Sequence, residues 1–202
     1  MATVIAKPAT LEDFLRAEAE APEGVRLALI DGEIVEWGAS MTTRNARHSS
    51  TMMLLAYHLN AWLAIHRELN GVVAGGEARC RLSRNPDRIV GLDVAVFFGV
   101  EHQRTSCFGA QFEGPPAVAI EILSGSDTHD DEVERIRVFL EAGVRQVWIV
   151  DAELRRVTIN RPNGEAEIFT SRQELTAEPE LPGFCVRVES LFPTLPAESP
   201  IA

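Results

Sequence analysis

Two apolar runs of the chain each carry one carboxylate, Asp93 in "VGLDVAVFF" and Glu121 in "AVAIEIL". Side chains alternate across a strand, so Val90, Leu92, Val94, Val96 and Phe98 are expected on one face and Asp93 on the other, beside Gly91 and Ala95. The same rule sets Val118, Ile120 and Ile122 on one face of the second run and Ala117, Ala119, Glu121 and Leu123 on the other. Most of the residues flanking the acids are Gly or Ala, which leaves space that a packed core would fill. Burying an ionised carboxylate without a partner costs several kcal/mol, so each acid calls for a paired cation, a donor network or a metal ion. Either acid alone reads equally well as half of a structural ion pair. Two of them in successive strands with the same surroundings favour a site.

The elements that must position these acids are legible around them. Thr10, three residues before Asp13 in "PATLEDFLRAEAE", opens a short helix with a capping-box pattern. "VRLALIDGEIVEW" is two apolar runs joined by Asp31-Gly32, a hairpin signal. From Arg44 to about Leu69 the chain has no Gly or Pro and is apolar at Met52, Leu55, Leu59 and Leu63, the period of one long helix. "GVVAGGEARCRL" and "RIVGLDVAVFF" read as strands around the turn-rich "SRNPDR", and Gly99 to Pro116 as a loop. Then follow the Glu121 strand, a helix over "HDDEVERIRVFLEAG", strands at "VRQVWIVD" and "LRRVTINR", a turn at "RPNG" into "EAEIF", and a last strand in "ELPGFCVRVESLF". Interleaved helical and strand periods make the class mixed, α/β or α+β.

Composition bounds the possibilities. The 202 residues show no linker or composition break, which predicts a single domain over 1–202 with its core at about 10–192. No apolar run approaches the roughly 20 residues of a bilayer span, and "MATVIAKPATLEDF" lacks the pattern of a signal peptide, so a cytoplasmic protein without a membrane partner is expected. Cys80, Cys107 and Cys185 are far apart and form no metal spacing. A net charge of -11 opposes general coating of phosphate backbones, while leaving room for a local site that approaches phosphate through divalent cations.

Taken in order, "LIDGEIVE", the Arg47-His48 pair opening a helix, "LDVAVF", "AIEILSGSD", "AGVRQVWIVDAELRRVTINR" and "LPGFCVRVESLF" resemble the Uma-type endonuclease family of the PD-(D/E)XK nuclease superfamily, over roughly Thr10 to Phe192. The resemblance implies a restriction-endonuclease-like mixed sheet flanked by helices, with an N-terminal helix and hairpin as an extension, and a homodimer; the apolar strands "VRQVWIVD" and "VTINR", read as edge-like, point to a partner chain as well. It implies an endonuclease that hydrolyses phosphodiester bonds of nucleic acid, most simply DNA. Asp93 and Glu121 match the motif acids. With the main-chain carbonyl of Ile122 they would hold Mg²⁺ or Mn²⁺, while a lysine serves the attacking water.

The chain departs from that pattern at several positions. Leu92 stands for the proline before the motif aspartate, and "SGSD" stands for "SPST", which is expected to loosen a turn. Two residues after Glu121 stands Leu123, which cannot assist a water. The family lysine on the next helix aligns with Arg135, one turn after Asp131. Arg135 can contact phosphate or stabilise charge but cannot act as a base; it reads equally well as an i,i+4 surface partner of Asp131. Ala28 stands where relatives carry a glutamate. His48 matches a family histidine, although a capping or core role is the commoner one for such a residue. His58, His66, His102 and His129 show no metal spacing. Two functions compete: a Mg²⁺-dependent endonuclease using Asp93, Glu121 and Arg135, and a catalytically degenerate, dimeric scaffold that keeps the fold.

Overall fold

A computed structural model of the chain describes residues 8–37, 45–125 and 127–194. Helix α1 (Leu11–Glu20) starts at Thr10, whose hydroxyl accepts the Asp13 N–H while the Asp13 carboxylate takes the Thr10 N–H at 2.9 Å. Strands β1 (Leu27–Ile30) and β2 (Glu33–Glu36) form the hairpin that Asp31-Gly32 announces. Both turn residues have positive φ, 51° and 86°, as a tight two-residue hairpin turn requires.

The long helix α2 spans Ala46–Ile65, with Asn45 as N-cap accepting the His48 N–H at 2.8 Å. Arg44, where the helix was expected to begin, lies outside the described residues. The helix ends four residues before Leu69, and Arg67–Leu69 form a separate 3₁₀ turn. Asn70 is left-handed, and a Cβ on Gly71 would sit 2.3 Å from a Leu63 methyl, so the chain doubles back against the helix it has just left.

Strands β3 (Val72–Ser83) and β4 (Arg88–Phe97) pair antiparallel along their length. The stretch 99–116, expected as a loop, instead holds helix α3 (Val100–Phe108) and the two-residue strand β5 (Phe112–Glu113) beside β3. No residue of α3 is buried and its large apolar side chains, Val100 and Phe108, are exposed, so no apolar stripe marked it. Strand β6 (Val118–Ile122), helix α4 (His129–Glu141) and strand β7 (Gln146–Asp151) then form a parallel strand–helix–strand unit. Thr128 and Asp131 cap α4 reciprocally, and Gly143, with φ 98°, ends it.

Strands β8 (Arg156–Asn160) and β9 (Ala166–Thr170) complete one mixed sheet, ordered β2-β1-β4-β6-β7-β8-β9 with β3 and β5 off β4. Strands β10 (Glu174–Ala177) and β11 (Leu181–Arg187) form a small separate sheet. The segments "VRQVWIVD" and "VTINR", expected as edge-like strands in need of a partner chain, are interior: β7 pairs with β6 and β8, and β8 with β7 and β9.

Helix α2 and the small sheet cover one face, where Leu55, Leu59 and Trp62 pack on Val94, Val96, Val118, Ile120 and Ile122. Helix α4 covers the other, where Val138 and Phe139, with Trp37 just after β2, pack with Val90, Leu92, Ala95, Phe97 and Ala119. Val90 and Leu92 thus belong to the α4-side core and Val94 and Val96 to the α2-side core. The unbroken face expected along β4 switches sides at Asp93. Opposite that point β3 carries a bulge: Gly75 pairs with Val94 and Ala78 with Leu92, so Gly76 and Glu77 together oppose Asp93.

Candidate functional site

Among the described residues, the buried polar or charged side chains are His48, Thr51, Asp93, Glu121, Arg135 and Gln146. His48, Asp93, Glu121 and Arg135 converge on one place around the β4–β6 ladder, each from a different element. The last rungs of that ladder pair Val96 with Val118, Ala95 with Ala119 and Val94 with Ile120. Continued one step past its last pair, that register would bring Asp93 opposite Glu121, and the Asp93 charge acts on Glu121. Directly opposed residues of an antiparallel pair are close neighbours, and like charges there repel.

Asp93 takes over where the ladder stops. Its Oδ2 accepts the Ile122 N–H at 3.0 Å and lies 3.1 Å from His48 Nε2. Asp93 is only 2% exposed and His48 1%. His48 is therefore packed against Asp93, placed there by the Asn45 cap that fixes the first turn of α2. His58, His66 and His102 instead lie within hydrogen-bond distance of main-chain carbonyls.

Glu121 is 1% exposed and its Oε1 has no hydrogen-bond partner. Burial first, and the neighbouring Asp93 charge second, push its carboxyl up to about 8, against a weaker downward pull from Arg135, Arg26 and a main-chain hydrogen bond of Asp93. In protein terms the site is short of positive charge.

Arg135 lies on α4 within electrostatic reach of both acids. It does not pair with Asp131 on the surface: Asp131 accepts the Thr128 N–H and hydroxyl at the helix start, at 2.9 and 2.7 Å. The partner of Arg135 is Asp127, and both side chains are nearly buried, at 5% and 6% exposed. Asp127 also accepts the Ser124 N–H at 2.6 Å and the Ser124 hydroxyl at 2.7 Å. Ser124 and Asp127 are thus tied to each other, and Asp127 reaches Arg135 on α4. Burial raises the Asp127 carboxyl, but Arg135 and Ser124 outweigh it and hold the group below its ordinary range. The Ser-x-x-Asp spacing of Ser124 and Asp127 is one that lets the serine donate to the carboxylate, a signal that was present in the sequence.

Two further residues had no sequence signal. Arg26 pairs with Glu77 at 2.6 Å and acts on Glu121 from the hairpin side. Glu77 sits in the β3 bulge with φ 64°. The small residue Gly91 makes room for it, since a Cβ there would lie 2.6 Å from Glu77 Oε2; that space belongs to a protein side chain. Ala28 is fully buried in the α4-side core and contributes no acid. Leu123 lines a cleft beside the site.

Two clefts are lined by residues that neighbour the acid pair. One, of about 680 Å³, runs along the start of α2 and the turn after β6 and includes His48, Leu123 and Ser124. The other, of about 480 Å³, lies between the β1–β2 hairpin and α4 and includes Trp37 and Arg135. Among the described residues no helix is long and apolar enough to cross a membrane.

The fold is similar to that of a solved protein from Anabaena variabilis ATCC 29413, described as a "putative nuclease belonging to DUF820", with a TM-score of 0.70 and 21% identity over 92% of this chain and 98% of that one. Among curated proteins no match is found. The sequence model of the Uma2 family, described as "Putative restriction endonuclease", matches residues 11–189, and the chain belongs to that family.

Proposed function

We propose that the chain is a divalent-metal-dependent endonuclease that hydrolyses phosphodiester bonds of nucleic acid, with DNA as the simplest substrate. The observation that carries this reading is the orphaned Glu121 Oε1 within electrostatic reach of Asp93, in a pair of buried carboxylates on neighbouring strands. The donor set is all oxygen, which suits Mg²⁺ or Mn²⁺ rather than a softer metal. Among the described residues no group of three or more His, Cys, Asp or Glu side chains is gathered as a metal cluster. Following the family pattern, Asp93, Glu121 and the Ile122 carbonyl would hold the ion, with water completing its shell. Bound there, such an ion supplies charge neutralisation at phosphorus and a more acidic water. His48 and the Ile122 N–H fix the Asp93 carboxylate. Arg135, anchored by Asp127, offsets the negative charge of the acid pair.

The chain's own charge of -11 makes metal the natural means of approach to phosphate. The test is cleavage of plasmid and RNA substrates with Mg²⁺, with Mn²⁺ and with chelator; cleavage abolished by chelator and by Asp93→Ala is expected.

A second reading, a nuclease fold retained as a dimeric scaffold, is favoured by two observations: Ala28 supplies no acid, and Arg135 is committed to Asp127. Metal binding without cleavage of any substrate would select it. Both readings include a homodimer. Its support is the ridge of α2 that exposes Met53, Tyr57 and Ile65.

A further inference from the structure

We propose that the free edge of β2, with the groove between the β1–β2 hairpin and α4, takes up an extended, lysine- or arginine-bearing segment of a partner protein as an added strand. This surface is separate from the endonuclease reading and does not depend on it. Strand β2 ends the main sheet and pairs with β1 alone. Along an antiparallel ladder, hydrogen-bonded and non-hydrogen-bonded pairs alternate. Ile30 and Glu33 close the two-residue turn, and at the far end the Trp37 N–H donates to the Arg26 carbonyl at 2.8 Å. Ala28 and Val35, midway between, are therefore a hydrogen-bonded pair, and Ile34 and Glu36 turn their main-chain N–H and C=O groups away from β1. Among the described residues those groups meet no main-chain partner. Such a row is a template for another strand.

The groove beside this edge, of about 480 Å³, has an apolar floor and acidic rims. Ile30, Val35 and Trp37 form the floor, Glu33 and Glu36 the hairpin rim, and Asp131 and Glu134 the α4 rim. Glu134 is tied to Arg137, but Glu33 and Glu36 are exposed and form no ion pair among the described residues. The hydrogen bonds to Asp131 come from the neutral Thr128. Arg135, which also borders the groove, is engaged by Asp127. Negative charge therefore stands uncompensated on both rims.

That charge selects the occupant. A second copy of the chain pairing through β2 would bring Glu33 and Glu36 against their own equivalents, and like charges across a strand pair repel. A nucleic-acid strand would set phosphates against the same carboxylates. An extended peptide with a basic residue at every second position suits both features, because its side chains alternate between faces. Those on the α4 side reach the two acidic rims, while its main chain meets Ile34 and Glu36. The opposite edge of the sheet, β9, differs: its Glu167 is paired with Arg161.

The test uses the whole chain, a blocked Thr-Lys-Val-Lys-Thr-Lys-Val peptide as the probe, and amide NMR signals as the readout. Saturable shifts of Ile34, Val35 and Glu36 are expected, and binding should weaken about tenfold when Glu33→Gln and Glu36→Gln are combined. Both side chains are exposed, so the hairpin ladder should survive the change, and unchanged amide signals of β1 check this. A fully N-methylated copy of the peptide keeps the charge and loses every main-chain donor, and it should not shift these amides. Three results would each overturn the proposal: no shift of Ile34 and Glu36 at millimolar peptide, equal binding by the double variant, or equal binding of the N-methylated copy. A DNA oligonucleotide in chelator should leave the same amides unmoved; shifts there from DNA and not from the peptide would assign the groove to nucleic acid and overturn the proposal as well.

Discussion

His48 Nε2 lies 3.1 Å from Asp93 Oδ2, and the same oxygen accepts the Ile122 N–H at 3.0 Å. One carboxylate oxygen thereby joins the first turn of α2 to the point where β4 and β6 part. That joint fixes the Asp93 side chain before any ligand arrives. Replacing His48 with Ala should take one partner from a nearly buried carboxylate and lower stability by about 1–3 kcal/mol. Urea denaturation would measure it, and a loss within error of zero would mean that the contact is incidental.

Glu121 should destabilise the metal-free protein, in a pH-dependent way. Burial and Asp93 raise its folded carboxyl to about 8, above the ordinary value of 4.5. The folded state therefore holds the proton more tightly than the unfolded one. The resulting stability is fully present below about pH 4.5 and is lost as pH rises through about 8. Glu121→Gln, neutral throughout, should match the wild type near pH 4.5 and exceed it by about 2–4 kcal/mol at pH 8, since each tenfold change in proton affinity is worth about 1.4 kcal/mol. Denaturation in chelator at both pH values decides this, and a gap that widens towards acid would reverse the sign of the account.

Arg135→Lys should separate stability from activity. An ammonium cannot reproduce the fork that grips the buried Asp127, so stability should fall by about 1–3 kcal/mol. It can, however, sit beside an attacking water and exchange a proton, an assistance worth about a hundredfold. Any metal-dependent cleavage should therefore rise. A slower lysine variant would show that arginine has its own adapted role here.

The exposed ridge of α2 predicts a dimer through that helix. Sedimentation velocity should show a dimer, and Tyr57→Glu, which sets a charge in the middle of the ridge, should yield monomer without loss of helix content. A wild-type monomer at working concentration would remove this part of the account.

What the sequence made legible was whatever had a period or a short spacing. Asp93 and Glu121 stood out because each interrupts an apolar run with an acid, and the hairpin, the capping box of α1 and the α4 unit were visible in the same way. Arg26 and Glu77 were not, because they meet through a bulge that no local pattern encodes. The strict alternation assumed for β4 failed at the one residue where it mattered, opposite that bulge. Arg135 was legible as a position but not as a pair: the i,i+4 spacing pointed to Asp131, whose carboxylate Thr128 had already claimed, and the true partner, Asp127, lies across the turn. Helix α3 was hidden because it buries no residue and so carries no apolar stripe.

Mn²⁺ binding followed by electron paramagnetic resonance, for the wild type against an Asp93→Ala, Glu121→Ala double variant, tests the central claim most directly. The account predicts saturable binding of one ion by the wild type, competed by Mg²⁺, and none by the double variant, whose fold is checked by circular dichroism alongside. Equal binding by both proteins, or none by the wild type at millimolar metal, would contradict the assignment of Asp93 and Glu121 as the metal-holding pair.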